Sequence, residues 1–101
     1  MLDSLNKQII EAMKQKDAQR LSTLRLFSAA LKNRELELKP EGKELSDEDI
    51  LKVFKKQLKN RRQNTEGFNK GNRPDLAAKE EAELEILLSI SDMIPGYVAD
   101  Q

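Results

Sequence analysis

The sequence of 101 residues contains neither cysteine nor histidine. Without cysteine there is no disulfide framework, no thiol nucleophile and no thiolate metal site. Without histidine the chain lacks the commonest general base and the commonest neutral metal ligand. Aromatic residues make up only 4% of the chain, and strand formers are scarce. This composition favours thin amphipathic helices over a sheet sandwich, and it excludes the enzyme classes that depend on a cysteine or histidine side chain.

Long apolar runs are also missing. No run approaches the roughly 20 residues that span a bilayer, so we expect no membrane partner. Residues 1–10 contain acidic and amide side chains where a secretory signal needs a basic start and an apolar core. A cytosolic protein is therefore the expectation. The net charge of zero argues against bulk attraction to nucleic acid but leaves room for a local basic patch.

Apolar residues recur at helical spacing in four segments, and this pattern predicts an all-α fold. We expect a four-helix bundle in which the third and fourth helices form a long hairpin. The second helix is the most apolar, because Leu26, Ala29 and Ala30 widen its apolar stripe, and we expect it at the centre. Asp17 separates the first two helices as a break or a cap. The four predicted helices cover residues 2–16, 18–38, 47–70 and 75–90.

Local signals predict the ends of the hairpin helices. Ser46 is a good N-cap for the third helix, with Asp49 three residues later. Either Gly71 or Asn72 is suited to the left-handed conformation after that helix, and Pro74 suits the first turn of the next one.

The length of the chain indicates a single domain, which we place at residues 1–94. Residues 95–101 form a short C-terminal tail in this interpretation. Pro95 and Gly96 end any helix, and residues 97–101 are too few to form a domain, so we expect them to be frayed.

The two arms of the predicted hairpin carry opposite charge. Residues 52–73 include eight basic side chains against one acid, and residues 75–92 include six acids against one base. In an antiparallel hairpin these arms lie side by side, so intramolecular pairing accounts for part of the sorting, although exposed pairs contribute below about 1 kcal/mol each. The alternatives are a polyanion surface and a protein-binding surface. Five cations follow three- and four-residue steps along one face of the third helix: Lys52, Lys55, Lys56, Lys59 and Arg62.

Catalytic patterns are weak in this sequence. The acidic side chains lie on predicted helix surfaces, and the run of residues 47–49 is better explained as helix capping than as a metal site. Residues 67–71 join two helices, so their glycines do not form a phosphate loop between a strand and a helix. Ser22, Thr23 and Ser28 lie within a helix without an oxyanion loop. We expect no catalytic residue, no cofactor and no metal.

Several segments together resemble the YqeY-like proteins of the GatB/YqeY family. They include residues 20–26 and 29–33 followed by Glu35 and Glu37, the helix start at 45–48, and Lys59 with Arg61 and Arg62. The turn and fourth helix add residues 71–76, 79–80 and 83–87, so the resemblance covers about residues 3–88.

The resemblance implies a small cytosolic all-α protein with an N-terminal helical bundle and a smaller helical tail. That tail is similar to the tail of GatB, a subunit of the glutamine-dependent aminoacyl-tRNA amidotransferase, whose tail region contacts tRNA. Residues 89–95 depart from the family pattern at the junction with this tail. We therefore expect the tail domain to be absent here, which leaves the third helix as the candidate RNA surface.

The first functional hypothesis is a non-catalytic module that binds tRNA or another RNA. The alternatives are a scaffold for a protein subunit and, by family association, a carbon–nitrogen ligase with glutamine as amide donor. In the first hypothesis Arg61 and Arg73 add forked donors to the basic face, and three cations of the second helix extend it. The candidate RNA-binding residues are Lys52, Lys55, Lys56, Lys59, Arg61, Arg62, Arg73, Arg20, Arg25 and Lys32.

Overall fold

The computed structural model describes residues 1–99, and this part of the chain contains helices and no strands. It confirms the all-α prediction and the four-helix bundle. Two short 3-10 turns, Lys39–Glu41 and Ser91–Met93, follow the second and fourth helices. The helices are α1 (Leu2–Lys14), α2 (Ala18–Leu38), α3 (Asp47–Lys70) and α4 (Pro74–Ser89).

Helix starts follow local side-chain chemistry. The Ser46 hydroxyl accepts a hydrogen bond from the Asp49 backbone N–H at 3.1 Å, and the Asp49 carboxylate accepts one from the Ser46 N–H at 3.0 Å. This reciprocal capping box satisfies two backbone donors at the start of α3, as predicted. Asp17 caps α2 by accepting from the Arg20 N–H at 3.1 Å. Helix α1 ends two residues before the predicted boundary, and Lys16 has a φ of 57° in the turn that follows.

The turn between α3 and α4 confirms the predicted hairpin. Asn72, rather than Gly71, adopts the left-handed conformation with φ of 59°. The next backbone N–H, that of Arg73, donates to the carbonyl of Phe68 at 2.8 Å. Pro74 then occupies the first turn of α4, where its missing N–H removes no helical hydrogen bond.

Helix α2 lies at the centre of the bundle, as predicted, because it packs against α1, α3 and α4. The neighbouring elements cover less of the α2 surface than expected. Leu26 and Ala29 are exposed, so the widened stripe is not covered by another described element. The main core is built from all four helices and the segment after α4. Its buried members are Leu5, Leu24, Phe27, Leu31, Ile50, Phe54, Leu58, Leu87, Ile90 and Ile94.

The segment after α4 folds back onto this core. The ring of Tyr97 meets the ring of Phe54 edge-on, with the centroids 5.2 Å apart. The expectation that residues 97–101 are frayed is therefore wrong for Tyr97, because its aromatic ring finds an apolar partner. Residues 100–101 of the predicted tail lie outside the described residues, and the domain division after residue 94 stays a prediction. Among residues 1–99 no helix is long and apolar enough to cross a membrane.

Phe54 is fully buried between Phe27, at a centroid distance of 5.5 Å, and Tyr97. We expect Phe54→Ala to lower the free energy of unfolding by about 3–5 kcal/mol, because the cavity removes packing on both sides. Urea denaturation measures this change. Leu36→Ala is the control, since Leu36 is 60% exposed, and it should change stability by less than about 0.5 kcal/mol. Equal losses in the two variants would contradict the assignment of Phe54 to the centre of the core.

Candidate nucleic-acid interface

The basic face of α3 lies opposite its core-facing side. Ile50, Phe54 and Leu58 are buried at four-residue spacing, and a helix turns by 100° per residue. The cations at intermediate positions therefore point away from the bundle. All five predicted members of this face are exposed: Lys52, Lys55, Lys56, Lys59 and Arg62.

Four of these five cations carry no ion pair within residues 1–99. Lys52 lies 3.3 Å from the Glu48 carboxylate one turn earlier on the same helix, and both side chains are largely exposed. Such a pair contributes little and is readily exchanged for another anion. Hereafter we call the other four cations the free basic face of α3. Its members are Lys55, Lys56, Lys59 and Arg62.

Arg61 has a different position from its neighbours. It faces α4, and its Nη1 lies 2.9 Å from Glu83 and 3.7 Å from Glu80. The Arg61 side chain is only 16% exposed and that of Glu83 only 9%. Asn64 donates a further hydrogen bond to Glu80 at 2.6 Å. Arg61 is thus committed to a largely buried network within the hairpin, although its Nε has no hydrogen-bond partner within the described residues.

The environment of Glu83 in this network disfavours its charged form. Burial, followed by the neighbouring carboxylate of Glu80, raises the pKa of Glu83 above its ordinary value. The Arg61 guanidinium opposes that rise by stabilising the charged form. Arg61 therefore favours the ionised form of Glu83 against the effects of burial and of Glu80.

Pairing between the two arms explains little of the charge sorting. Arg61 is the only cation of α3 that forms an ion pair with α4 in the part of the chain described. Lys52 and Lys70 pair with acids one turn earlier on α3 itself. The other four α3 cations form no ion pair within the described residues, so α4 does not neutralise them. The free basic face is available to an outside anion.

The other predicted RNA-binding residues are engaged locally. Arg73 forms two hydrogen bonds with Asp75, at 3.2 and 3.1 Å, beside the hairpin turn. Arg20 donates to Ser89 at 2.9 Å and to Gln8 at 3.0 Å, which ties α2 to α4 and α1. These contacts give Arg20 a role in holding the bundle together.

The two remaining cations of α2 lie towards α1. The Nη2 of Arg25 is 3.7 Å from the sulfur of Met13. Lys32 lines a small depression together with Leu2 and Leu5 of α1. Neither contact brings these cations to the free basic face, which is built by α3 alone.

A groove between α2 and α3 borders this face, and sequence reasoning missed it. Lys52 and Lys56 form part of its α3 wall, and Arg34 stands on its α2 wall. Arg34 donates to Asp49 and to Glu37, both at 3.1 Å, and so joins α2 to the start of α3. The helical spacing of Arg34 indicates an inward position. Its partner Asp49 is 15 residues away, however, and no local sequence pattern predicts that contact.

The capping box contributes to the same corner of the groove. Hydrogen bonds from the backbone and then the side chain of Ser46, with a smaller contribution from Arg34, lower the pKa of Asp49 to about 2. Asp49 therefore stays ionised at any pH near neutral. Within residues 1–99 no group of three or more acidic side chains is placed to hold a metal ion.

Comparison with protein families gives one match that spans almost the whole chain. The model for the family described as "Yqey-like protein" matches residues 2–95. This chain belongs to the YqeY-like family. The resemblance drawn from residues 20–37 and from the hairpin is thereby confirmed.

Individual relatives are fungal proteins. The chain is 33% identical over 92 residues to "Altered inheritance of mitochondria protein 41, mitochondrial" of Lachancea thermotolerans, covering 91% of this chain and 48% of that protein. It is 35% identical over 83 residues to an uncharacterized protein of Schizosaccharomyces pombe, covering 82% of this chain and 65% of that protein. The chain thus spans about half to two thirds of the length of these relatives.

The mitochondrial name recurs. The protein called "Altered inheritance of mitochondria protein 41, mitochondrial" from Saccharomyces cerevisiae is 31% identical over 85 residues, covering 84% of this chain and 45% of that protein. These relatives overturn the expectation of a cytosolic protein, which was wrong. The physical reason is that a missing secretory pattern and a neutral composition argue only against export and do not determine a compartment.

The Arg61–Glu83 pair yields a test of the buried network. We expect Arg61→Met to lower the free energy of unfolding by about 3 kcal/mol at pH 7, because it leaves the Glu83 carboxylate buried without a cation. The double variant Arg61→Met/Glu83→Leu should lose much less. The loss in the single variant should shrink at pH 4, since the raised pKa of Glu83 lets it bind a proton.

Urea denaturation at both pH values measures these effects. Arg62→Met is the matched control, because Arg62 is the adjacent but exposed arginine, and it should change stability by less than about 0.5 kcal/mol. A double variant as unstable as Arg61→Met would show that packing, rather than an uncompensated charge, causes the loss.

Proposed function

We propose that this YqeY-like chain is a non-catalytic RNA-binding module that contacts phosphates through the free basic face of α3. One observation carries the proposal. All four cations are exposed on one side of a single helix, and none has an ion pair within the described residues. Arg61 and Arg73, which already hold carboxylates, are left out of the proposed contact.

The physical basis is counterion release. A cation that neutralises a phosphate frees a condensed counterion, so affinity gains from each contact and falls as salt rises. Lys55 and Arg62 are seven residues apart, which is roughly 10 Å along the helix axis. Arg62 also supplies the planar fork that suits phosphate oxygens. Transfer RNA is the first RNA to test, because the resemblance implies that the family's tail is similar to the tail of GatB, which contacts tRNA.

Amide transfer is not part of this proposal. Among residues 1–99 no serine hydroxyl is hydrogen-bonded to a lysine; the bonded hydroxyls of Ser22, Ser46 and Ser89 contact other groups. The carbon–nitrogen ligase alternative therefore has no specific observation in its favour.

The proposal predicts a change in salt dependence. The triple variant Lys55→Gln/Lys59→Gln/Arg62→Gln should bind tRNA more weakly than the unmodified chain. The slope of log affinity against log salt should shrink by about 2 to 3, because each lost phosphate contact removes about 0.7–0.9. Fluorescence anisotropy of labelled tRNA across a salt series measures both quantities.

The matched control for this experiment is Lys7→Gln/Lys14→Gln/Lys39→Gln, which removes the same charge from exposed sites on other elements. The control should keep the original slope. Equal changes in the two triple variants would mean that RNA responds to overall charge, and the proposed face would be wrong. An unmodified chain that binds no tRNA at low salt would also contradict the proposal.

A protein-binding function is the second candidate, and one observation favours it. Leu26 is 53% exposed on α2, and Met13 of α1 is 50% exposed. The contact of Arg25 with Met13 brings the two helices together on this side, and Leu26 borders a shallow, mainly apolar depression beside Arg25. A large apolar side chain exposed beside an apolar depression is typical of interaction sites.

If this apolar face binds a second copy of the chain, sedimentation should show a mass that rises with protein concentration. Leu26→Lys should then restore a monomer, because it places a charge in the contact. Leu36→Lys is the control, since Leu36 is exposed on the same helix but lies about 15 Å further along it. A monomer at every concentration would count against self-association through this face.

A further inference from the structure

The groove between α2 and α3 is a concave surface to which both helices contribute side chains. Its volume is about 460 Å³, within the roughly 300–1,000 Å³ of small-molecule sites. It opens beside the free basic face, because Lys56 belongs to both and Lys52 stands one turn away. A ligand that follows the lysines along α3 therefore passes the mouth of the groove.

Three carboxamide side chains line this groove: Asn33 from α2, and Gln57 and Asn60 from α3. In the described part of the chain none of the three makes a side-chain hydrogen bond. By contrast, Asn64, one turn beyond Asn60, is bonded to Glu80 of α4. The groove therefore presents unused amide donors and acceptors from both of its walls.

The groove is lined by charged side chains of both signs. Lys52 and Lys56 supply positive charge, whereas Arg34 is held between Asp49 and Glu37. Two carboxylates beside one guanidinium leave this corner of the groove with one excess negative charge. A phosphate is therefore favoured at the lysines and disfavoured beside the two carboxylates, where a neutral group that carries hydrogen-bond donors fits better.

An unpaired nucleobase meets both requirements. A carboxamide carries a donor and an acceptor on one group, and asparagine or glutamine pairs with the two adjacent polar atoms of adenine. Carboxylates accept hydrogen bonds from the exocyclic amino group of a base, and uracil has no such amino group. Bases within a duplex are not accessible in this way, so the ligand is a loop or a single strand.

We propose that the α2–α3 groove takes one unpaired adenine of a bound RNA, read by Asn33, Gln57 and Asn60, with its phosphate on Lys56. This inference rests on the proposed function, because the free basic face brings the RNA to the groove. It adds the class of RNA: a loop or single strand with an unpaired adenine, in preference to a continuous duplex.

Three labelled RNA probes test this inference: a hairpin with an adenosine loop, the same stem with a uridine loop, and the stem as a closed duplex. The chain should bind the adenosine loop at least about fivefold more tightly than the uridine loop. The variant Gln57→Leu/Asn60→Leu should lose that preference. Its salt slope should stay unchanged, because no cation has been removed.

Gln63→Leu is the matched control, since Gln63 is an exposed glutamine on the same helix and outside the groove. It should keep the preference for the adenosine loop. Circular dichroism and urea denaturation establish that each variant is folded before binding is compared.

The outcomes separate the two proposals. If the three probes bind equally, or if Gln57→Leu/Asn60→Leu weakens all of them equally, the groove does not read a base. The proposed function survives that result if the Lys55, Lys59 and Arg62 variant still reduces the salt slope. Competition by polyglutamate as effective as competition by RNA at equal charge would assign the surface to acidic protein segments and overturn the inference. Failure of all three probes to bind at low salt would overturn both proposals.

Discussion

The burial of Phe54 is the constraint on which the rest of the structure depends. Its ring lies between Phe27 of α2 and Tyr97 of the C-terminal segment, so α3 cannot rotate about its axis without opening the core on two sides. Residues at four- and seven-residue steps from Phe54 consequently face the bundle, and Arg61 is one of them. The same orientation of α3 about its axis places the Lys55 and Lys59 side chains on the outside of the bundle. The burial of Phe54, together with Ile50 and Leu58, thus sets which cations of α3 are internal and which are presented to solvent.

The Arg61 network follows from the length of α3. Its buried apolar positions end at Leu58, whereas the helix continues to Lys70. In the stretch that follows, α3 and α4 pair through Arg61, Glu80 and Glu83. Replacing a buried ion pair with apolar residues is often neutral or stabilising, so such a pair is weak evidence of stability. The pair nevertheless joins the two helices at a defined position, because Arg61 contacts both Glu80 and Glu83.

Sequence reasoning predicted the features that depend on neighbouring residues. The capping box of Ser46, a turn at Gly71 or Asn72 and the four helices all follow from local spacing and backbone preference. It could not predict contacts between distant segments. Arg61 was expected on an RNA surface, and only the position of Glu83 shows that it holds a carboxylate of α4 instead. The groove was missed for the same reason, because its walls come from helices whose sequences do not indicate their mutual distance.

A neutral protein can still present a surface that attracts a polyanion. At physiological ionic strength a charge is screened beyond about 8 Å, so a phosphate near Lys55 and Lys59 responds to those side chains more than to acids across the bundle. The nearest acids of α4, Glu80 and Glu83, are engaged by Arg61 and are therefore partly neutralised at their own position. Arg61 contacts the acids of α4 from one side of α3. Lys55 and Lys59 are exposed on another side of the same helix, so the two charges are kept apart. The net charge of zero consequently describes the whole chain and not the field at this face.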